Sequence, residues 1–279
     1  IFSIFRCCLF KFWRINREII RRGKSLANTF LEAIFFSIII IIYLLITYKK
    51  NFFKSFYISG IPGFICGLSL SVGFVAYVFA MYTTTVANTN FILTTETIFL
   101  ALFGYFFLKE KINLITLISI ILGMSGVLLI LGGSLKIQSN EQFIGNLVAF
   151  IMPLSFVVLV IIVRKYQNID MVPAQFIAGI LACLIGLFIA KNISISLHDL
   201  FLAMLAGFFQ IGFGFILITL GSQTTPAAIV GVLMLIESVL GPLWAWIFIN
   251  EIPPFVVLAG GCIIIFSILF QSFLGNKKN

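Results

Sequence analysis

The chain has 279 residues, of which 61% are hydrophobic and only 10% charged, and its mean hydropathy is +1.19. That composition excludes a soluble domain, in which about a quarter of the residues would carry charge. The net charge of +9 does not point to nucleic acid, because cytoplasmic loops between membrane spans gather Lys and Arg for their own reasons.

Residues 1–32 form an atypical N-terminal segment that holds seven of the eighteen Lys and Arg residues and no clean apolar run. They read as a basic tail or a surface helix, or as a first span damaged by a shift of reading frame. The chain opens on Ile, so a start upstream is expected.

From Ala33 onward apolar runs recur at the length of a membrane span, about 20 residues. Spans are expected at about 30–48, 58–81, 85–108, 112–132, 143–163, 172–190, 200–220, 226–249 and 253–274. All should be helices, since backbone polar groups in lipid must be satisfied within the segment. The expected fold is an all-α integral membrane bundle of nine transmembrane helices, or ten if the damaged start is a span.

Two stretches repeat at an offset of 141 residues: Thr84 falls on Thr225, Ala87 on Ala228, Glu96 on Glu237, Phe107 on Phe248 and Glu110 on Glu251. A fixed offset over some fifty residues marks an internal repeat. The units are 33–132 and 143–274. Five spans per unit is an odd number, so the second copy must enter the membrane inverted.

Orientation follows from the basic residues. Alternate loops hold Lys49, Lys50 and Lys54, then Lys109 and Lys111, then Arg164 and Lys165, and the C-terminus holds Lys277 and Lys278. The opposite loops hold Lys136 and Lys191. The richer set, and with it the C-terminus, is therefore expected in the cytoplasm, with the chain multi-pass in the plasma (inner) membrane.

Glu96 and Glu237 each precede an interfacial glutamate by 14 residues, which is about 21 Å of helix. That depth lies past the middle of a core of roughly 30 Å. An intramembrane carboxylate costs at least ~2.5 kcal/mol, so it is a functional candidate that could take and give a proton. The alternative is a carboxyl that only bonds a neighbouring helix. Around Glu96 lie Asn88, Asn90, Thr94, Thr95 and Thr97; Asn90, Thr94 and Thr97 share one helix face. Tyr77, Tyr82, Gln210 and Thr219 could add polar lining, although helix–helix hydrogen bonding suits most of these residues as well. Glu110 and Glu251 read as helix-end residues.

Gly60, Gly63, Gly67 and Gly73 in one span, with Gly207, Gly212 and Gly214 in its repeat partner, predict close helix approach. Gly63-x-x-x-Gly67 has the spacing of a homodimer contact, though packing within the bundle uses the same spacing. The cysteines Cys7, Cys8, Cys66, Cys183 and Cys262 show no metal-ligand spacing. No nucleophile has a partnered base and no Gly-rich loop could cradle phosphate, so neither a cofactor nor an enzyme is expected.

The run from Glu96-Thr97 to Phe107-Leu108-Lys109-Glu110, followed by Gly123 and Gly126, resembles the EamA-type members of the drug/metabolite transporter superfamily. So does the run from Ile236-Glu237-Ser238 to Asn250-Glu251, followed by Gly260 and Gly261. The likeness covers about residues 33–274. Thr97 and Ser238 depart from it, since a Pro often follows the Glu. The resemblance implies ten spans as two inverted five-helix repeats and a secondary-active transporter, with efflux the expected direction. Its partners would be the lipid bilayer, a small-molecule substrate and protons. Glu96 and Glu237 would then line the central site. Amino acids, drugs and other neutral, zwitterionic or cationic metabolites are the implied substrates. A channel or a non-transporting scaffold or sensor is the alternative.

Overall fold

A computed structural model describes residues 25–132, 140–189, 197–249 and 253–275. Among these residues the chain is helical throughout, with no strand. In chain order the helices are α1 (Ser25–Tyr48), α2 (Phe52–Thr83), α3 (Val86–Thr94), α4 (Glu96–Leu108), α5 (Leu114–Leu131), α6 (Asn140–Ala149) and α7 (Ile151–Lys165). Then come α8 (Val172–Ile189), α9 (Leu197–Leu205), a π-helical segment (Ala206–Phe213), α10 (Gly214–Ser222), α11 (Ala227–Met234), α12 (Ile236–Ile249) and α13 (Phe255–Leu274). Six stretches of the described residues are long and apolar enough to cross a membrane, and two shorter apolar helices accompany them. The chain is a multi-pass membrane protein.

Helix α1 spans Ser25–Tyr48, so residues 25–32 are helical and continuous with the first apolar helix. Several of the expected spans are interrupted. The stretch 85–108 divides at Thr95 into α3 and α4, and 226–249 divides at Leu235 into α11 and α12. At Thr95 the backbone tightens to an i−3 bond onto Ile92, and the hydroxyls of Thr94 and Thr95 donate to the carbonyls of Phe91 and Ile92. Such back-bonds compete with the helical ladder. At Leu235 the same i−3 bond forms onto Val232 without a hydroxyl to drive it. The break between α6 and α7 precedes Pro153, which has no N–H to offer the carbonyl of Ala149.

Helix α2 is kinked at Gly60 (φ 52°, ψ −148°), just before Pro62. Gly60 therefore bends its helix rather than admitting a neighbour, as the sequence pattern suggested. Gly67 does face another helix, and it is α8: a Cβ there would stand 2.6 Å from the carbonyl of Ala174, whereas Gly63 lies against Ser59 of its own helix and Met171 just before α8.

The core forms where α1, α2, α7 and α10 meet. Phe36, Phe74 and Phe215 pack edge to face at 5.5–6.1 Å, and Phe156 joins them. The outward faces are apolar too: Phe53, Tyr57, Ile61 and Phe64 on α2 and Phe106 and Phe107 on α4 are exposed, as helices against lipid should be. Helices α5 and α13 pack most extensively. Ser267 Oγ donates to the carbonyl of Ser119 at 2.6 Å, and Gly126 meets Gly260 so closely that a Cβ on either would lie 2.7 Å from the other's carbonyl. The pairs 119/267 and 126/260 run in opposite senses, so the two helices are antiparallel.

Candidate functional site

Glu96 opens α4 immediately after the tightened turn at Thr95, and Glu237 stands second in α12 just after the turn at Leu235. Glu96 is buried and Glu237 half-buried. The two turns are linked through α11. Thr97, fully buried, donates its hydroxyl to the carbonyl of Gly231 at 3.0 Å, and Glu237 follows Gly231 by six residues, or about 9 Å of helix. Contacts along this seam pair Thr97 with Gly231 and Gly104 with Ala227, so α4 and α11 are also antiparallel.

The polar residues named from sequence have different surroundings. Asn88 is buried, and its side-chain amide donates to Thr84 Oγ1 at 3.1 Å and Asn146 Oδ1 at 3.3 Å, joining α3 to α6. Asn90 is half-buried on α3. Thr94 bonds back to its own helix. Tyr82 ends α2 and Gln210 lies in the π-helical segment, but their side chains fall outside the described residues, as does Glu251. Thr219 accepts a bond from Gln175 Nε2, which also donates to the carbonyl of Phe215 at 2.9 Å and so pins α8 to α10.

The most developed polar cluster lies at the end of the bundle rich in Lys and Arg. Lys109 takes a left-handed conformation (φ 56°) and ends α4, while the amide of Glu110 closes back onto the carbonyl of Gly104. That turn swings the Glu110 carboxylate toward α11, and Gly104, lacking a side chain, leaves it room. One oxygen accepts from Arg164 Nε at 2.8 Å; the other accepts from the amide of Ala227, first residue of α11, at 2.9 Å. An anion suits a helix N-terminus, where unpaired amides leave partial positive charge. Arg164 also donates to the carbonyl of Gln223 at 2.7 Å. Alongside, Asp170 accepts from Tyr43 and Tyr48 at 3.2 and 3.0 Å and from the amide of Val172, while Gln223 donates to the carbonyl of Ile169.

The helix-end role expected for Glu110 matches this geometry. Arg164 was read only as an orientation charge, and Gln175, Asn146 and Asp170 were not singled out. One signal was available for the first: Arg164 is the sole arginine after residue 22. Its planar fork can bond two partners at once, which a lysine ammonium does less well. Glu32, placed with the N-terminal segment, is buried in α1, and its carbonyl lies where Gly207 of the π-helical segment passes.

A family profile described as EamA-like transporter family matches residues 12–132 and again 142–273. An uncharacterized transporter of Methanothermobacter thermautotrophicus is 29% identical over 184 residues, spanning 63% of this chain and 53% of that protein. Another, of Clostridium kluyveri, is 27% identical over 226 residues, spanning 77% of this chain and 72% of that one. The chain thus covers about half the length of the first relative. A solved crystal structure has the same fold, with a TM-score of 0.82 at 14% identity, over 99% of this chain and 96% of the other.

Proposed function

Because this chain belongs to the EamA-like transporter family, we propose that it is a secondary-active exporter of small neutral, zwitterionic or cationic metabolites, such as amino acids or drugs. It works as two inverted five-helix repeats in the plasma (inner) membrane, with the C-terminus in the cytoplasm. Antiparallel packing of α5 on α13, which correspond in the two repeats, supports the inversion, as does that of α4 on α11, which belong to corresponding spans. The orientation rests on the loops that hold Lys49, Lys109 and Arg164.

One observation carries the reading. Glu96 and Glu237, equivalent by sequence, both follow turns where the helix tightens, and the seam of α4 and α11 links those turns. Binding sites of inverted-repeat transporters lie between repeats at interrupted helices. The two carboxyls accordingly line the path and exchange protons with it, assisted by Asn90, Tyr82 and Gln210. No Lys or Arg intervenes between Lys54 and Lys109, or between Lys191 and Lys277. A phosphate-bearing solute would want such a partner, which leaves the uncharged, zwitterionic and cationic classes.

The test compares metabolites inside and outside cells that express the intact protein or its Glu96→Gln, Glu237→Gln double variant. A solute should move outward with the intact protein and stay put with the double variant. An equal shift with both would contradict the role of the glutamates.

A further inference from the structure

Resting on the transport reading above, we infer that Glu110 and Arg164 form the cytoplasmic latch of the transport path, holding α11 against α4 until the path opens inward. Three observations lead here. First, the seam between α4 and α11 is smooth: Gly104 meets Ala227, Thr97 meets Gly231, and Ala101 and Ala228 pack with Val232. Small side chains can part without disentangling, unlike the interlocked rings of Phe36, Phe74 and Phe215 elsewhere. Second, the seam is tied at its cytoplasmic end. Glu110, from the first repeat, holds the N-terminus of α11 and the guanidinium of Arg164, both in the second. Arg164 in turn holds the carbonyl of Gln223, three residues before Pro226, the residue that leads into α11.

Third, the tie is reachable. The paired side chains keep about a fifth of their surface exposed, and a crevice of about 30 Å³ opens beside Glu110, lined by Tyr105, Asn113, Thr116, Ala228 and Ile229. That is room enough for water. Most of the pair is covered, so losing either partner costs the contact, while water can still reach it. Glu110 sets the balance between two arrangements of α11, because its second oxygen bonds the amide of Ala227 only while α11 touches the α4–α5 turn. The ends of α4 and α11 therefore move as one when the pair is whole and separately when it is broken.

A cysteine at Val232, which is fully buried on α11, reports the opening in a background with the native cysteines replaced. Inside-out vesicles expose the Lys109 face to a membrane-impermeant maleimide, with no solute present, so the readout does not depend on knowing the substrate. Glu110→Gln and Arg164→Gln should each raise the labelling rate roughly fivefold or more, the factor a modest coupling between sites gives. Labelling of both folded variants at the parent rate would overturn the latch. So would loss of both variants from the membrane, which would make the pair a structural joint. Retained solute flux alongside an unchanged labelling rate would dismiss the latch and leave the transport reading intact.

Discussion

Arg164 and Glu110 show how much a single side chain can decide when it ends two helices at once. The Glu110 carboxylate serves an arginine with one oxygen and a helix N-terminus with the other. Its position at a span end was legible from the repeat, because Glu110 and Glu251 recur at the repeat offset. Its partners were not, since Arg164 and Ala227 lie 54 and 117 residues away and no local pattern joins them. Gln175 was illegible for the same reason: a lone amide in an apolar run gives no hint of the helix it will bond. Glycines could be read as packing positions, but not against what. At Gly126 the answer is the backbone of Gly260, 2.7 Å from where a Cβ would stand. Gly126→Val should therefore force α5 from α13 and cost about 1–3 kcal/mol, read as a lower unfolding midpoint in detergent.

At the scale of elements, hydropathy located the apolar helices well because lipid imposes length and composition together. Interruptions inside them escaped, since the turns at Thr95 and Leu235 keep right-handed dihedrals and change only the bonding partner. The π-helical segment Ala206–Phe213 escaped likewise, being as apolar as its flanks. The kink in α2 was half visible: Pro62 announces a break, but the reversed dihedrals fall on Gly60 two residues earlier. At φ 52° and ψ −148° a side chain is strongly disfavoured, so Gly60→Ala should destabilise by about 1–3 kcal/mol although its Cβ would meet only Pro62 Cδ, at an ordinary 3.8 Å. Gly132→Ala is the control, with ordinary dihedrals and nothing within 4 Å. It should change the same unfolding midpoint by no more than about 0.5 kcal/mol.

At the scale of the whole molecule, a duplicated chain of a transporter family carries two acidic turns along one seam. An odd number of spans per repeat would call for inversion, and the antiparallel contacts of Ser119 with Ser267 and of Thr97 with Gly231 are consistent with it. The second repeat lacks most of the polar residues that surround Glu96, so the two carboxyls have unequal neighbours and need not carry the proton equally. We propose that solute movement is coupled to protons through Glu96 and Glu237. The most direct test places the purified protein in vesicles with an imposed pH gradient and follows accumulation of the solute found by the cellular comparison. Gradient-driven accumulation should occur with the intact protein and vanish with Glu96→Gln and Glu237→Gln combined, while protein in the membrane stays constant. Accumulation that persists in the double variant would contradict the account.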